Sequence, residues 1–425
     1  MAVRIKLSEL SDQQKKIIRE KLYFQPAKTN FAVNKFVSQE EDPILFYLLD
    51  KSTNEIVLPY TFGNSLMGRH INSQLEYPKG QFYFTGKLRE NQISVSEKAL
   101  DLLLKHGAVI LNLPTGFGKT LLSSYLSANL GGIALILVNR ETIQTGWVET
   151  YKQYTTAVVW VVQNKIKIPE RCNVIISMDG RVNKIPKEIL KMVSILVIDE
   201  AHLFCTRSQV PVLLATCPKY IIACSATMER RDNLHVMVTS ILGNNKVEVK
   251  NEKSFTVYKV MTGIETELVK NKMGTVDFSK LTASLANNPI RNQFIVDLIE
   301  KNLNQKIMLL TWSKKHVEIL YNALKARGIS VDYLTGNKSK YIDSTVLLGT
   351  ISKVSTGFDS KNVAINFDGM DISMMIFLAS TKSFNLHIQS IGRAFRSENP
   401  IIFDIVDFLG ISGLHLFRGE SIEHN

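Results

Sequence analysis

An apolar run of strand length, Ala108–Leu113, passes through Pro114-Thr115-Gly116-Phe117-Gly118 into Lys119-Thr120 and the helix-like Leu121–Leu130. This order constrains the fold more than any other stretch of the chain. Glycines let a backbone curl so that successive N–H groups and a helix N-terminus converge on phosphate oxygens. Such a loop needs a buried parallel strand before it and a helix after it, and so implies an α/β sheet holding a nucleoside triphosphate. Lys119 then reaches the β and γ phosphates, and the Thr120 hydroxyl ligates magnesium. Leu113 stands where the general pattern has glycine, but the Gly118-Lys119-Thr120 core and its context are intact.

The flanking chain repeats the alternation. Ile133–Val138, Asn173–Ser177, Ile195–Ile198 and Tyr220–Cys224 are further β-branched runs, each followed by a helix-like or polar segment. This is the pattern of a parallel sheet covered on both faces. It lapses over 251–288, where polar residues dominate, and resumes at Lys306–Trp312, Thr345–Thr350, Val363–Phe367, Met375–Ala379 and Ile401–Ile405. The expected fold is therefore α/β, with two tandem RecA-like parallel-sheet domains at 86–250 and 289–425 joined by a linker at 251–288. Residues 1–85 read as a small α+β accessory module. Ser11 followed by Gln14 makes a capping box before a basic helix over Gln13–Tyr23, and Ile44–Leu49 and Ile56–Tyr60 flank a polar turn as a hairpin.

A second chemical motif follows the strand Ile195–Ile198, in Asp199-Glu200-Ala201-His202. Carboxylates at the carboxyl end of a buried parallel strand sit where α/β sheets bind ligands. Asp199 is suited to hold magnesium through water, and Glu200 to orient and deprotonate an attacking water.

Taken with the phosphate loop, this quartet resembles the superfamily 2 helicases of the DEAD/DEAH type, and the remaining family motifs occur in order. Ser225-Ala226-Thr227 resembles the motif coupling the γ phosphate to nucleic acid. Thr356-Gly357-Phe358-Asp359 resembles a nucleotide-sensing loop. Gln389 through Gly392-Arg393-Ala394-Phe395-Arg396 resembles the motif that supplies arginine fingers. Leu88-Arg89 through Gln92 is similar to the adenine-reading segment, with Arg89 and Gln92 as its candidates, and His202 corresponds to a bridge between ATP and the coupling motif. Met228-Glu229-Arg230-Arg231-Asp232-Asn233 and Asn139–Trp147 are similar to the XPB/UvsW-like DNA branch. Ala286–Asn292 and the compact layout resemble the poxvirus transcript-release helicases and their relatives in other large DNA viruses.

The resemblance implies an ATP- and magnesium-dependent DNA translocase, with an RNA helicase or a non-motor ATP-binding subunit of a transcription complex as alternatives. It nominates Arg140, Gln144, Thr350, Ser352 and Thr356 as nucleic-acid contacts. Trp147 and Trp312 read either as stacking platforms or as core, and His316 as a surface or satisfied histidine.

Composition fits such a partner. A formal net charge of +12 favours a polyanion, because Lys and Arg neutralising phosphates is the main sequence-independent source of nucleic-acid affinity. DNA is the expected polymer, transcription machinery a further partner, and a monomer the expected motor. No apolar run approaches the roughly 20 residues of a membrane span, and the Met1–Leu7 start has no secretory apolar stretch. The expected location is a virus factory or virion, or otherwise the nucleus. Cys172, Cys205, Cys217 and Cys224 lack zinc-finger spacing and read as free thiols.

Overall fold

The computed structural model describes residues 1–24, 43–114, 116–165, 167–204, 206–225, 235–249, 255–266, 276–336, 338, 340–354, 363–378, 397 and 400–409. The chain divides into two compact units, Met1–Lys250 and Asn251–Asn425.

The first unit opens with β1 (Ala2–Lys6), α1 (Asp12–Lys21), β2 (Tyr23–Phe24), β3 (Ile44–Leu45), β4 (Leu48–Asp50), β5 (Glu55–Pro59) and α2 (Tyr60–Met67). β1, β5 and β4 form an antiparallel sheet in that order. The capping box closes α1 as the sequence predicts: Ser11 Oγ accepts from Gln14 N–H at 3.2 Å, and Gln14 Oε1 accepts from Ser11 N–H at 2.9 Å. The run Ile44–Leu49, expected as one strand, breaks at Phe46. That ring is fully buried, and its N–H donates to the Leu22 carbonyl at 2.9 Å.

Next come α3 (Glu90–His106), β6 (Ala108–Asn112), α4 (Lys119–Leu130), β7 (Ile133–Val138), α5 (Glu141–Tyr154), β8 (Val159–Val161), β9 (Val174–Met178), α6 (Lys187–Met192), β10 (Val193–Asp199), α7 (Val210–Leu213), β11 (Tyr220–Ser225), α8 (His235–Leu242) and β12 (Lys246–Glu248). The strands build one seven-stranded sheet in the order β12-β6-β11-β10-β7-β9-β8, parallel throughout. Successive side chains go to opposite faces. Val109 and Leu111 pack with α3, α4 and α5, whereas Ala108 and Ile110 join a second cluster. That second cluster also holds Val3, Ile5, Phe46 and Val57. Residues 1–85, read from the sequence as a separate module, thus share a core with the sheet. A parallel sheet must be covered on both faces, and α3–α5 cover only one.

The second unit contains β13 (Thr256–Thr266), α9 (Phe278–Asn287), α10 (Pro289–Glu300), β14 (Ile307–Thr311), α11 (Lys314–Ala326), β15 (Val331–Leu334), β16 (Tyr341–Ile342), β17 (Val346–Thr350), α12 (Ile351–Val354), β18 (Ala364–Ile365), β19 (Met374–Phe377) and β20 (Ile401–Leu409). Its six-stranded sheet is parallel throughout, in the order β13-β20-β19-β14-β17-β15. Segment 251–288, expected as a linker, instead carries β13 and α9. β13 runs along β20 from Thr256 opposite Ile401 to Thr266 opposite Leu409. It is the outermost strand, so much of its length stays exposed, and its polar side chains mask the β-branched alternation that makes it a strand. The run Val363–Phe367, expected as a sheet strand, contributes only β18, paired with β16 outside the main sheet. No helix among the described residues is long and apolar enough to cross a membrane.

Candidate nucleotide site

Three neighbouring strands of the first unit end at the same level. Asp199 at the end of β10 pairs with Cys224 of β11, and Ser225 of β11 pairs with Asn112 of β6. Adjacent strands lie about 4.8 Å apart, so the start of the phosphate loop, the first coupling residue and the acidic pair converge on one edge of the sheet.

The loop after β6 has the curl its glycines predict. Gly116 and Gly118 take φ of 82° and 95°, in the left-handed region closed to most side chains. The Phe117 N–H returns to the Pro114 carbonyl at 3.2 Å, and the buried Phe117 ring anchors the loop in the core. α4 then starts at Lys119, which leaves its first N–H groups directed out of the helix end. Lys119 Nζ donates to the Leu113 carbonyl at 2.8 Å, across the mouth of its own loop.

Two side chains from the start of α3 brace this loop. Gln92 is fully buried; its Nε2 donates to the Phe117 carbonyl at 2.6 Å and its Oε1 accepts from Arg89 N–H at 2.9 Å. The Arg89 guanidinium donates to the same Phe117 carbonyl and, at 3.3 Å, to that of Gly116. The resemblance assigns these residues to adenine, whereas the geometry gives them a second task, holding the shape of the phosphate loop.

At the end of β10 the backbone turns sharply. Glu200 has φ of 52°, a conformation that non-glycine residues adopt at a cost and often at functional positions. Both Asp199 and Glu200 are half-buried. Burial and then the neighbouring Glu200 charge push the Asp199 carboxyl above the usual carboxylate range, while the Trp147 hydrogen bond and Lys119 pull it back. Asp199 Oδ2 accepts from Trp147 Nε1 at 2.7 Å. Behind the pair, the Cys224 thiol lies 3.2 Å from Ser123 Oγ of α4 and is pushed up to about 12 by burial, so it stays neutral and unreactive.

Several nominated residues lie elsewhere. Trp147 is 1% exposed and points at Asp199, so it is no platform for bases. Gln144 is also buried, with Nε2 3.5 Å from the Ile176 carbonyl, and Thr350 is buried at the end of β17. Their side chains are packed into the sheets because each sits on the inward side of its element, which a motif alone does not reveal. Arg140 and Ser352 are exposed, and Trp312 is half-buried. Thr115, Ala226, Thr227, Thr356, Gly357, Asp359, Gln389, Arg393 and Arg396 lie outside the described residues, as do the side chains of His202 and Ser225. His316 proves a satisfied histidine, buried between Thr311 and Asn292. Cys172, Cys217 and Cys224 are free, and Cys205 lies outside the described residues.

Residues 85–230 match the family described as "Type III restriction enzyme, res subunit". The chain is 29% identical over 362 residues to "Putative helicase 161L" of Invertebrate iridescent virus 6, covering 78% of this chain and 79% of that protein. It is 30% identical over 236 residues to "Putative helicase 109L" of Invertebrate iridescent virus 3, covering 52% of this chain and 72% of that protein. The chain belongs to the superfamily 2 helicases. This helicase is also 24% identical over 286 residues to "Transcript termination protein A18" of Yaba-like disease virus, covering 59% and 58% of the two chains. Its fold matches that of S. cerevisiae Dbp5 bound to RNA and ADP BeF3, with a TM-score of 0.51, 17% identity, and 74% and 83% of the two chains covered. As a member of that family the helicase is a nucleic-acid-dependent ATPase. The loop at Gly116–Lys119 and the carboxylates at Asp199–Glu200 are the groups in the first unit that this chemistry needs.

Proposed function

We propose that this helicase is an ATP- and magnesium-dependent translocase on DNA that serves transcript release in a large DNA virus, working at its virus factory. The observation that carries the catalytic part is the convergence of Lys119, Asp199 and Glu200 on three adjacent strand ends. Lys119 leaves the Leu113 carbonyl for the β and γ phosphates, and Glu200 orients the attacking water and takes its proton. The donor set fits magnesium. Asp199 and Thr120 offer hard oxygen ligands, and the described residues contain no cluster of three or more His, Cys, Asp or Glu that would hold a metal unaided; a small cation that keeps waters and borrows phosphate oxygens suits such a site. When bound, magnesium neutralises charge on the phosphates.

Arg393 and Arg396 supply positive charge to the transferred phosphoryl group, Ser225–Thr227 couple its state to the polymer, and Gly357 and Asp359 sense the nucleotide. Arg140, Ser352 and Thr356 touch the polymer backbone. DNA is preferred over RNA on the likeness to the A18 protein and the net charge of +12.

Steady-state ATPase activity measured with no polymer, single-stranded DNA, duplex DNA and RNA tests the proposal, with Glu200→Gln beside each. Stimulation by DNA above RNA, absent in a Glu200→Gln chain that still binds ATP, is the expected result. Stimulation by RNA alone would move the protein to RNA remodelling, and normal turnover by Glu200→Gln would remove Glu200 from its role.

A further inference from the structure

The Trp147 indole is sealed from solvent, and a buried indole N–H must find an acceptor. A tryptophan that only filled the core would be served by any backbone carbonyl. Here Nε1 donates instead to Asp199 Oδ2 at 2.7 Å. The ring itself is clamped. It stacks on Tyr151 with centroids 6.3 Å apart and planes 25° from parallel. The Tyr151 hydroxyl donates to Ser127 Oγ at 3.3 Å, and Ser127 Oγ donates to the Ser123 carbonyl at 2.8 Å. Ser123 and Ser127 belong to α4, the helix that Lys119 begins. One rigid chain of contacts therefore runs from the phosphate-loop helix through α5 to the carboxylate at the end of β10.

We propose that Trp147 is a positioning residue for the Asp199 carboxylate, fixing its rotation through Oδ2 so that the group is already oriented when magnesium arrives with the nucleotide. This rests on the reading of Asp199 as the carboxylate that holds magnesium. Partners that orient metal-binding carboxylates typically alter metal affinity 10- to 100-fold when removed. Phenylalanine at position 147 keeps the ring and the Tyr151 contact but removes the N–H, so the hydrogen bond is tested apart from the packing.

ADP binding to the full chain is measured by equilibrium dialysis across a magnesium titration, for the unaltered protein, Trp147→Phe, Asp199→Asn and Trp160→Phe. Trp160 is a buried indole on β8 that serves as the packing control. Trp147→Phe is expected to bind ADP normally without magnesium and to need about tenfold more magnesium for half-saturation, while Trp160→Phe stays unchanged. An unaltered magnesium dependence in Trp147→Phe, with a shifted one in Asp199→Asn, would overturn the inference and leave the Asp199 reading standing. An unaltered dependence in Asp199→Asn would remove that reading, and the inference with it. Should Trp147→Phe not fold, the emission of Trp147 in the Trp160→Phe/Trp312→Phe chain decides the matter. It should shift on adding magnesium with ADP and lose that shift in Asp199→Asn; emission indifferent to magnesium overturns the inference.

Discussion

Lys119 Nζ donates to the carbonyl of Leu113, six residues earlier, at 2.8 Å. The ammonium is thus parked on the first carbonyl of the loop it serves, and phosphate oxygens must replace that neutral acceptor. A charged acceptor makes the stronger bond, so the exchange favours the nucleotide. Lys119→Met should lower stimulated ATP turnover by about 10²–10³-fold, as for other single groups that stabilise developing charge. Its stability should change by no more than about 1 kcal/mol, the net value of one hydrogen bond. ATPase rates and urea unfolding check both halves.

Gly118 and Gly116 separate two costs of a side chain in the loop. A Cβ on Gly118 would sit 2.6 Å from Gln92 Nε2, at φ of 95°. A Cβ on Gly116 meets nothing within 4 Å, at φ of 82°. Gly116→Ala should therefore carry only the backbone strain, roughly 1–3 kcal/mol. Gly118→Ala should carry that strain and also displace Gln92 from the Phe117 carbonyl, with the larger fall in both melting temperature and ATP affinity. Equal effects from the two substitutions would remove Gln92 as a brace of the loop.

Arg291 ties four elements of the second unit together. Its Nε donates to both Asp407 oxygens at 2.9 and 3.0 Å, its Nη2 donates to the Leu378 carbonyl at 2.8 Å, and Thr262 Oγ1 donates to the same Asp407 at 2.8 Å. Arg291 is fully buried and Asp407 nearly so. Removing one member strands the other charge away from water, at about 3–5 kcal/mol. Arg291→Ala should destabilise the second unit by that amount, as read by urea unfolding, and Arg291→Ala with Asp407→Ala together should cost less than the sum of the two.

His316 makes the second unit sensitive to acid. Asn292 Nδ2 donates to the Ala286 carbonyl, so Asn292 Oδ1 accepts from His316 Nε2–H at 2.9 Å, and His316 Nδ1 accepts from the Thr311 hydroxyl at 3.2 Å. The ring is held neutral. Burial first, and then the Arg291 charge, pull its pKa down from 6.5 to about 3. Between these values the unfolded chain binds a proton that the folded chain does not, so stability is complete above pH 6.5 and falls as pH drops toward 3. Compared with His316→Gln, the unaltered protein should lose roughly 2 kcal/mol more between pH about 7 and about 5. Parallel pH profiles for the two chains in urea unfolding would exclude His316 as the source.

Much of the fold and the candidate site is legible in the chain itself, because buried strands, glycine curls and strand-end carboxylates leave local signatures. The run Ala108–Leu113 with Gly116 and Gly118, the pair Asp199-Glu200 after an apolar strand, and the capping box at Ser11 each need only neighbours in sequence. What stayed hidden depends on partners far along the chain. Trp147 lies 52 residues from Asp199, and its inward rotation on α5 is set by packing against Tyr151 and the sheet, which no motif encodes. Gln92 and Arg89 became braces of the loop because α3 ends its first turn beside Phe117. Residues 1–85 became part of the first core because the sheet had a bare face to cover. Strand β13 emerged from a polar stretch because β20, 145 positions on from Thr256 at Ile401, offered it an edge. Local chemistry determined which elements form and what they can bind. Burial and pairing across the tertiary structure decided which side chains reach the site and which are spent holding it in place.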